Sequence, residues 1–390
     1  MDLTIRLLRD LSGVDPAAWD ALDHGGSPFL EHGFLRALER SGSIGEAAGW
    51  DPYYLLAELA DAPTGQTRLV GAVAAFLKDH SYGEYIFDFG WARAAMRAGV
   101  RYYPKLVVAA PVTPATGPRI LLSPQLPDDL RRAVAVGLAA AVRELGEQLD
   151  ASSVHWLFCT QAEHELLGEL DYMPRASFQF HFANPGYADF DAFLDTLASR
   201  KRKQIRKERH RALEAIDGPV QFVPGNELTE ADLDVLDRLY RRTTYAHGGQ
   251  DYLRPGFFHA LAELSPHRMR FARVTDEGET IAGALYLQSD EMLFGRYWGC
   301  LREVPFLHFE VAYYAGVEHC IRHGLRKFEA GAQGEHKLLR GFVPSPTYSN
   351  HFVRHPGLRD AIRRFLAEER RELPKYMDEL GKYAPFKKGE

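Results

Sequence analysis

The sequence predicts an α/β (α+β) chain made of two successive halves with the same element order. Three observations predict it. At 390 residues the chain is too long for one ordinary core, and two domains of about 150–200 residues are expected. Short apolar or alternating stretches of strand length interleave with longer stretches of helical spacing along most of the chain. The order strand, helices, strands, helix, strand occurs once before the breaker Asn184-Pro185-Gly186 and again after Asp217-Gly218-Pro219.

In the first half Leu3 to Leu8 reads as a strand, and Asp15-Pro16 starts a short helix with proline in its first turn. A second helix runs from Glu31 to Arg40. Tyr53 to Leu59 and Arg68 to Lys78 read as strands with a turn between them, the second carrying no charge from Gly71 to Leu77. Aromatic and acidic residues then alternate from His80 to Trp91, as in a strand with one polar face or a binding loop. Within it Tyr82, Glu84 and Asp88 suit an amine or sugar substrate. After the strand Leu106 to Ala110, prolines at 111, 114, 118, 124 and 127 force an extended passage. A long helix (Asp128 to Leu149), a strand (Val154 to Cys159), a helix (Ala162 to Leu170) and a strand (Phe178 to Phe182) complete the half.

A long helix, Asp189 to Ile216, is expected between the halves. From Arg200 to Arg211 it carries eight Lys/Arg and one acid, Glu208, so most of that turn faces water or a polyanion. Lys201, Arg202 and Lys203 are the candidates for anion contact. The formal net charge of −6 excludes a general nucleic-acid binder but leaves room for this local patch.

The second half reads strand (Val220 to Val223), helices (Thr229 to Tyr245, Pro255 to Leu264), strands (Met269 to Val274, Thr280 to Gln288) and then its densest stretch. Met292 to Cys300 is an aromatic-rich strand carrying Arg296 and Trp298. A helix from His308 to His323, stopped by Gly324, is apolar around most of its circumference yet begins with His308 and Glu310. A polar loop follows, with Glu329, Gln333, Glu335, His336, Lys337 and Arg340 interspersed with Gly331, Gly334 and Gly341. Glycines at a strand end permit tight turns and close backbone approach to a ligand. An acid, an imidazole and an amine side by side suit acid–base work. Glu310, Glu335 and His336 are expected to converge on one cleft, with Arg296, Trp298 and His308 binding substrate. A last strand, Tyr348 to Val353, and a charged helix end the chain.

The cysteines Cys159, Cys300 and Cys320 show neither paired nor metal-ligand spacing, which suits a reducing compartment. His319/His323 and His351/His355 have zinc-compatible spacing without a third ligand, so no metal is expected. The N-terminus lacks the apolar run of a signal peptide and no stretch has the length of a membrane span, so a cytoplasmic location is expected.

The stretches SPFLEHGFLRALERSGS, HSYGEYIFDFGWA, RYYPKL, RKRKQIRKERHRA, FGRYWGC, HFEVAYYAGVEHCI and FEAGAQGEHK resemble those of a bacterial Fem-like or GNAT-like acyltransferase family. More distantly, the chain resembles the Fem peptidyltransferases that use aminoacyl-tRNA. The resemblance implies tandem GNAT folds, each a mixed central sheet flanked by helices. The corresponding domains are 1–185 and 219–357, joined by the basic helix 186–218 and followed by a terminal helix and tail, 358–390. It further implies transfer of an acyl or aminoacyl group to an amine. The donor is acyl-CoA or, through the basic helix, aminoacyl-tRNA. The acceptor is a small amine or a cell-wall precursor. A recognition protein for peptidoglycan fragments without catalysis is the alternative. Neither half has the Arg/Gln-x-x-Gly-x-Gly/Ala turn with which acetyl-CoA enzymes hold pyrophosphate. Thr116, Gly117 and Arg119 stand at about that place, as a phosphate site or a rigid turn. For the chemistry, Glu310 or Glu335 is the candidate base and His336 the base or proton shuttle. Lys337 or Tyr348 is the oxyanion or phosphate partner.

Overall fold

The structure is a computed structural model describing residues 3–60, 67–246, 248–332 and 334–387. The turn expected before Thr67 and the loop residue Gln333 lie outside the described residues. The chain divides into two compact units, Met1–Ser177 with Pro346–Pro374, and Phe178–Ser345 with Lys375–Glu390.

The first unit is built from β1 (Leu3–Leu8), α1 (Pro16–Asp20), α2 (His32–Arg40), β2 (Asp51–Ala60), β3 (Thr67–Lys78), α3 (Phe89–Arg97), β4 (Lys105–Val108), β5 (Leu121–Leu122), α4 (Asp128–Gln148), β6 (Ser153–Cys159) and α5 (Gln161–Glu169). Its helices start where local chemistry dictates. The Asp15 carboxylate accepts from the Ala17 N–H ahead of Pro16. Thr160 and Glu163 form a reciprocal capping box on α5. The sheet runs β1-β2-β3-β4-β6, antiparallel except for the parallel pair β4/β6, whose register is Leu106↔Val154 to Val108↔Trp156. Helix α4 connects that pair and lays Val134, Leu138 and Val142 into the core with Val73, Leu106 and Trp156. Each such side chain contributes about 1.5–3 kcal/mol on burial.

The second unit has its own set of elements. It comprises β7 (Met173–Ala183, from Phe178 on), α6 (Phe190–Asp195), α7 (Ser199–Leu213), β8 (Gln221–Pro224), α8 (Glu230–Ala246), α9 (Phe257–Leu264), β9 (Met269–Asp276), β10 (Glu279–Gln288) and β11 (Met292–Cys300). A short α10 (Leu307–Phe309), a π-turn (Glu310–Tyr314), α11 (Ala315–Arg322) and β12 (Lys327–Glu329) follow. The sheet order is β8-β9-β10-β11-β12, again antiparallel except for its last pair. The sixth strand of each sheet is far in sequence from the strand it pairs with. Phe182 of β7 pairs antiparallel with Phe328 of β12. Tyr348 to Val353 of β13 (Val343–Val353) pair antiparallel with β6. The chain ends in α12 (Pro356–Gly381). Both units are thus mixed sheets flanked by helices.

Two expected helices differ. Asp189 to Ile216 is not one helix, because Leu197 pairs with Phe386 in a β-bridge and Ala198 N–H donates to the Pro385 carbonyl at 2.8 Å. That backbone leaves the helical path, and α6 and α7 stand on either side. The helix expected from His308 is present from Leu307 to Arg322 but contains a π-turn, where one extra residue per turn swings Glu310, Tyr313 and Tyr314 out of α-helical phase.

Gly316 in α11 shows how closely helix and sheet meet. A Cβ there would lie 2.6 Å from Phe328 Cε1. In an open helix glycine to alanine gains about 1 kcal/mol. Here the overpacking costs about 1–3 kcal/mol and wins. Gly316→Ala should therefore lower the urea midpoint; a raised midpoint contradicts this packing.

Candidate active site

The parallel strands β11 and β12 stay paired for three residues, Met292↔Lys327 to Phe294↔Glu329. Beyond that β11 continues alone to Cys300. The register against β10 slips between Leu285 and Ala284, which leaves Tyr297 bulged with φ +48. A bulge increases local twist and re-aims neighbouring side chains. The strands therefore part at their carboxyl ends, where open α/β sheets hold ligands. The β11–α10 connection and the polar loop after β12 both lie at that end.

Behind the fork is a buried polar cluster: Gln179, His181, Arg296, Glu329 and Lys337. His181 Nε2 is 3.8 Å from Glu329 Oε1, which also accepts from Lys327 Nζ at 2.7 Å. Burial raises the Glu329 carboxyl, but His181, Lys327 and Arg296 together outweigh it and leave it below its ordinary value. Burial pulls His181 down to about 4, against the attraction of Glu329. Lys337 Nζ donates to the Gly331 carbonyl at 2.7 Å, its one hydrogen bond among the described residues. Burial, and then the Arg296 cation, push its ammonium down to about 7. Glu329 Oε2 and His181 Nδ1 are buried without a hydrogen-bond partner among the described residues.

His336 stands at the open side of this cluster. Its Nε2 lies 2.8 Å from the Tyr313 hydroxyl. Its ring is 6.0 Å from that of His308, which in turn is 5.3 Å from Trp298. The structure thus brings together Trp298, His308 and His336, three residues singled out from sequence, and adds Tyr313 and Phe309. Burial, Arg340 and Lys337 hold the His336 imidazole below its ordinary pKa, so it is neutral at pH 7.

Glu310 and Glu335 are placed differently. Both Glu310 oxygens accept from Arg209 of α7, at 2.9 to 3.2 Å, and Arg209 also holds Glu318 at 2.6 Å. Burial raises the Glu310 carboxyl against the pull of Arg209. One turn away, Glu208 accepts from Tyr314 and from Arg340, the latter at 2.9 Å. Both acids are engaged in fastening α7 to the π-turn. Glu335 is exposed, at the start of the helical turn that carries His336.

In the first unit, Glu84 and Asp88 are buried and share one cation. Lys105 Nζ donates to Ser81 Oγ and Glu84 Oε2, both at 2.8 Å, and to Asp88 Oδ2. Tyr102 donates to Asp88 at 2.6 Å. Burial pushes Glu84 up to about 7. Lys78, buried over the Trp50 ring, is pushed down to about 7. Tyr82 is exposed. Sequence reasoning passes over Lys78 and Lys105, which flank apolar strands and carry no local signal of their partners. It also passes over His155, and notes His351 only for its spacing from His355; their Nδ1 atoms lie 2.7 Å apart in the core of this unit.

Arg119 is not a presented cation. It is buried, with Nε on the Leu157 carbonyl at 2.7 Å and Nη2 on the Ala115 carbonyl. That guanidinium ties a turn together and is withdrawn from any phosphate. A Cβ on Gly117 would meet Ser27 Cβ at 2.8 Å, so glycine serves close packing there. The Thr116 hydroxyl is buried without a partner. Tyr348 stacks on His164 at 4.7 Å within the first unit.

On α7, Arg202 pairs with Asp195 and Arg206 with Asp191. Lys201 is half-buried. Arg200, Lys203, Lys207 and Arg211 are exposed and have no acidic partner among the described residues. Their spacing puts them on one face over about 16 Å. The cationic surface is this stripe rather than the Lys201–Lys203 run.

The folded chain keeps His181 neutral between pH 6.5 and about 4, where the unfolded chain binds the proton. Stability therefore falls as pH falls through that window, by about 1.4 kcal/mol per unit from this group. The buried His155 and His351 act in the same direction. Denaturant titrations from pH 6.5 to 4 should show a slope exceeding one proton, reduced by about one in His181→Gln. A flat profile contradicts a buried neutral His181.

A family model described as FemAB-like, peptidoglycan biosynthesis/recognition, matches residues 10–388. No curated protein matches the sequence at a significant level. The crystal structure of FemX is similar with a TM-score of 0.53 at 10% identity, over 92% of this chain and 100% of that one. A conserved protein of unknown function from Bacteroides thetaiotaomicron gives 0.50 at 10% identity, over 89% and 99%. At such identities the likeness is one of fold. Among the described residues no helix is long and apolar enough to cross a membrane. With its model matched over nearly the whole length, the chain belongs to the FemAB-like family of peptidoglycan biosynthesis/recognition.

Proposed function

We propose that the second unit transfers an acyl or aminoacyl group to an amine at the fork between β11 and β12. The observation that carries this reading is the buried Lys337 ammonium, set beside the Arg296 cation at the carboxyl end of the strand pair. A buried ammonium whose one hydrogen bond among the described residues is to a backbone carbonyl costs stability unless an anion joins it. A reaction that generates an oxyanion, or a donor that carries phosphate, supplies one.

In this mechanism the amine lone pair attacks the acyl carbonyl and forms the new N–C bond. The tetrahedral oxyanion is held by Lys337 and Arg296. The neutral His336 imidazole, steadied by Tyr313, takes the proton the amine loses. Collapse breaks the bond to the donor's sulfur or ribose oxygen, which leaves with the proton that His336 took from the amine. Trp298 and His308 wall the acceptor. Glu310 acts through Arg209, as a positioning residue for the π-turn.

The stripe Arg200, Lys203, Lys207 and Arg211 favours a polyanionic donor of the aminoacyl-tRNA kind over acyl-CoA, and the family description favours a cell-wall-precursor acceptor. Affinity for bulk tRNA should fall steeply with salt. Lys203→Glu with Lys207→Glu should weaken binding and shallow the salt dependence by about 0.7–0.9 for each phosphate no longer neutralised. Binding that is absent at low salt, or indifferent to both changes, contradicts a tRNA donor.

Transfer itself is tested with Lys337→Met. Removing a buried ammonium should raise the denaturant midpoint, while turnover with aminoacyl-tRNA or acyl-CoA and an amine panel should be lost. A variant that is less stable and fully active contradicts the assignment. Wild-type protein that binds cell-wall fragments without any turnover supports the recognition-only alternative.

A further inference from the structure

We propose that the first unit docks on the surface of an anionic bilayer through α3 and the cleft between α3 and α12. Four of its large apolar side chains stand in water around this place: Tyr82 at 46% exposure, Phe87 at 56%, Met96 at 72% and Phe365 at 50%. Folding has left them out although Ala95 and Trp91, on the inner face of the same helix, are buried. Phe87 stacks on Phe89 with centroids 6.0 Å apart, and Tyr82 lies 6.0 Å from the same ring. By helical spacing Phe89, Arg93, Met96 and Arg97 share the outward face of α3.

On α3 and the segment leading into it from His80 the exposed charge has one sign. Between His80 and Arg101 the acids are Glu84 and Asp88, and both point inward to Lys105, with side chains 2% and 4% exposed. Arg93 and Arg97 are exposed and have no acidic partner among the described residues. Beside them a cleft of about 300 Å³ opens, lined by Phe87, Trp91, Leu358, Ile362 and Phe365. The cation in its wall, Arg175, is neutralised by Glu369 at 2.8 and 2.9 Å, which leaves the cleft itself apolar.

Protruding aromatic and methionine side chains around an apolar cleft, with arginines beside them, match what a bilayer surface presents. Acyl chains cover the apolar groups and anionic head groups meet the arginines. A protein partner would have to bring an acidic, apolar face shaped to separate protrusions; the bilayer adapts to them.

Co-sedimentation of the full chain with vesicles tests this. The chain should bind vesicles of phosphatidylcholine and phosphatidylglycerol in equal parts, should not bind phosphatidylcholine alone, and should release in high salt. Arg93→Gln and Arg97→Gln should each lower partitioning about fivefold. Phe87→Ser with Phe365→Ser should abolish it at an unchanged thermal midpoint, since both side chains are already half in water. Equal partitioning into both vesicle types, no binding to either, or wild-type binding by the aromatic variant overturns the proposal, and the last two leave a protein partner as the occupant.

Discussion

The second unit depends on how long two parallel strands can stay together. Strands β11 and β12 keep three residues of register before the Tyr297 bulge turns β11 away. A non-glycine residue at φ +48 is held against its own preference and needs its surroundings to keep it there. The reward is an opening at the carboxyl end of the sheet. Trp298 faces it from one strand and the loop with His336 and Lys337 closes over it from the other. The π-turn serves the same end, because its extra residue sets Tyr313 against His336 while Glu310 and Tyr314 reach α7.

Buried charge is handled differently in the Lys105 cluster and around Lys337. In the first, Lys105 is matched by Glu84 and Asp88, and attraction outweighs burial enough to raise its pKa. A balanced cluster of that kind locks the loop from Ser81 to Asp88 against β4. In the second, Lys337 has a backbone carbonyl for a partner and a second cation, Arg296, for a neighbour, and it loses affinity for its proton. Removing one member of a matched pair is destabilising, whereas an unmatched cation is itself a cost. On this contrast we propose a structural role for the Lys105 cluster and a chemical one for Lys337.

Much of the fold was legible in sequence because strand alternation, capping residues and glycine stops are local signals. Asp15-Pro16 at the start of α1, and Gly324 after α11, mark their helices without help from the rest of the chain. Trp298, His308 and His336 were each singled out from sequence, but the convergence expected there was of Glu310, Glu335 and His336, and Glu310 is instead held by Arg209 while Glu335 is exposed. What escaped depends on distant partners. Nothing near His181 announces Glu329, and nothing near Lys105 announces Asp88 as more than an acid in an aromatic stretch. Arg119 looks like a phosphate ligand until Leu157 and Ala115 supply carbonyls for it. Leu197 breaks a helix of good local propensity because Phe386, far along the chain, pairs with it. The sixth strand of each sheet is supplied across the chain, an exchange that element order alone does not reveal.

The central claim is that Lys337 is a buried, under-compensated cation waiting for an anion. Its ammonium pKa, followed by NMR on lysine labelled at the Cε carbon and assigned with Lys337→Met, tests that most directly. The account predicts a titration near 7 in the free protein and a rise when an anionic donor binds. A titration at the ordinary lysine value of about 10.4, unmoved by ligand, would contradict it.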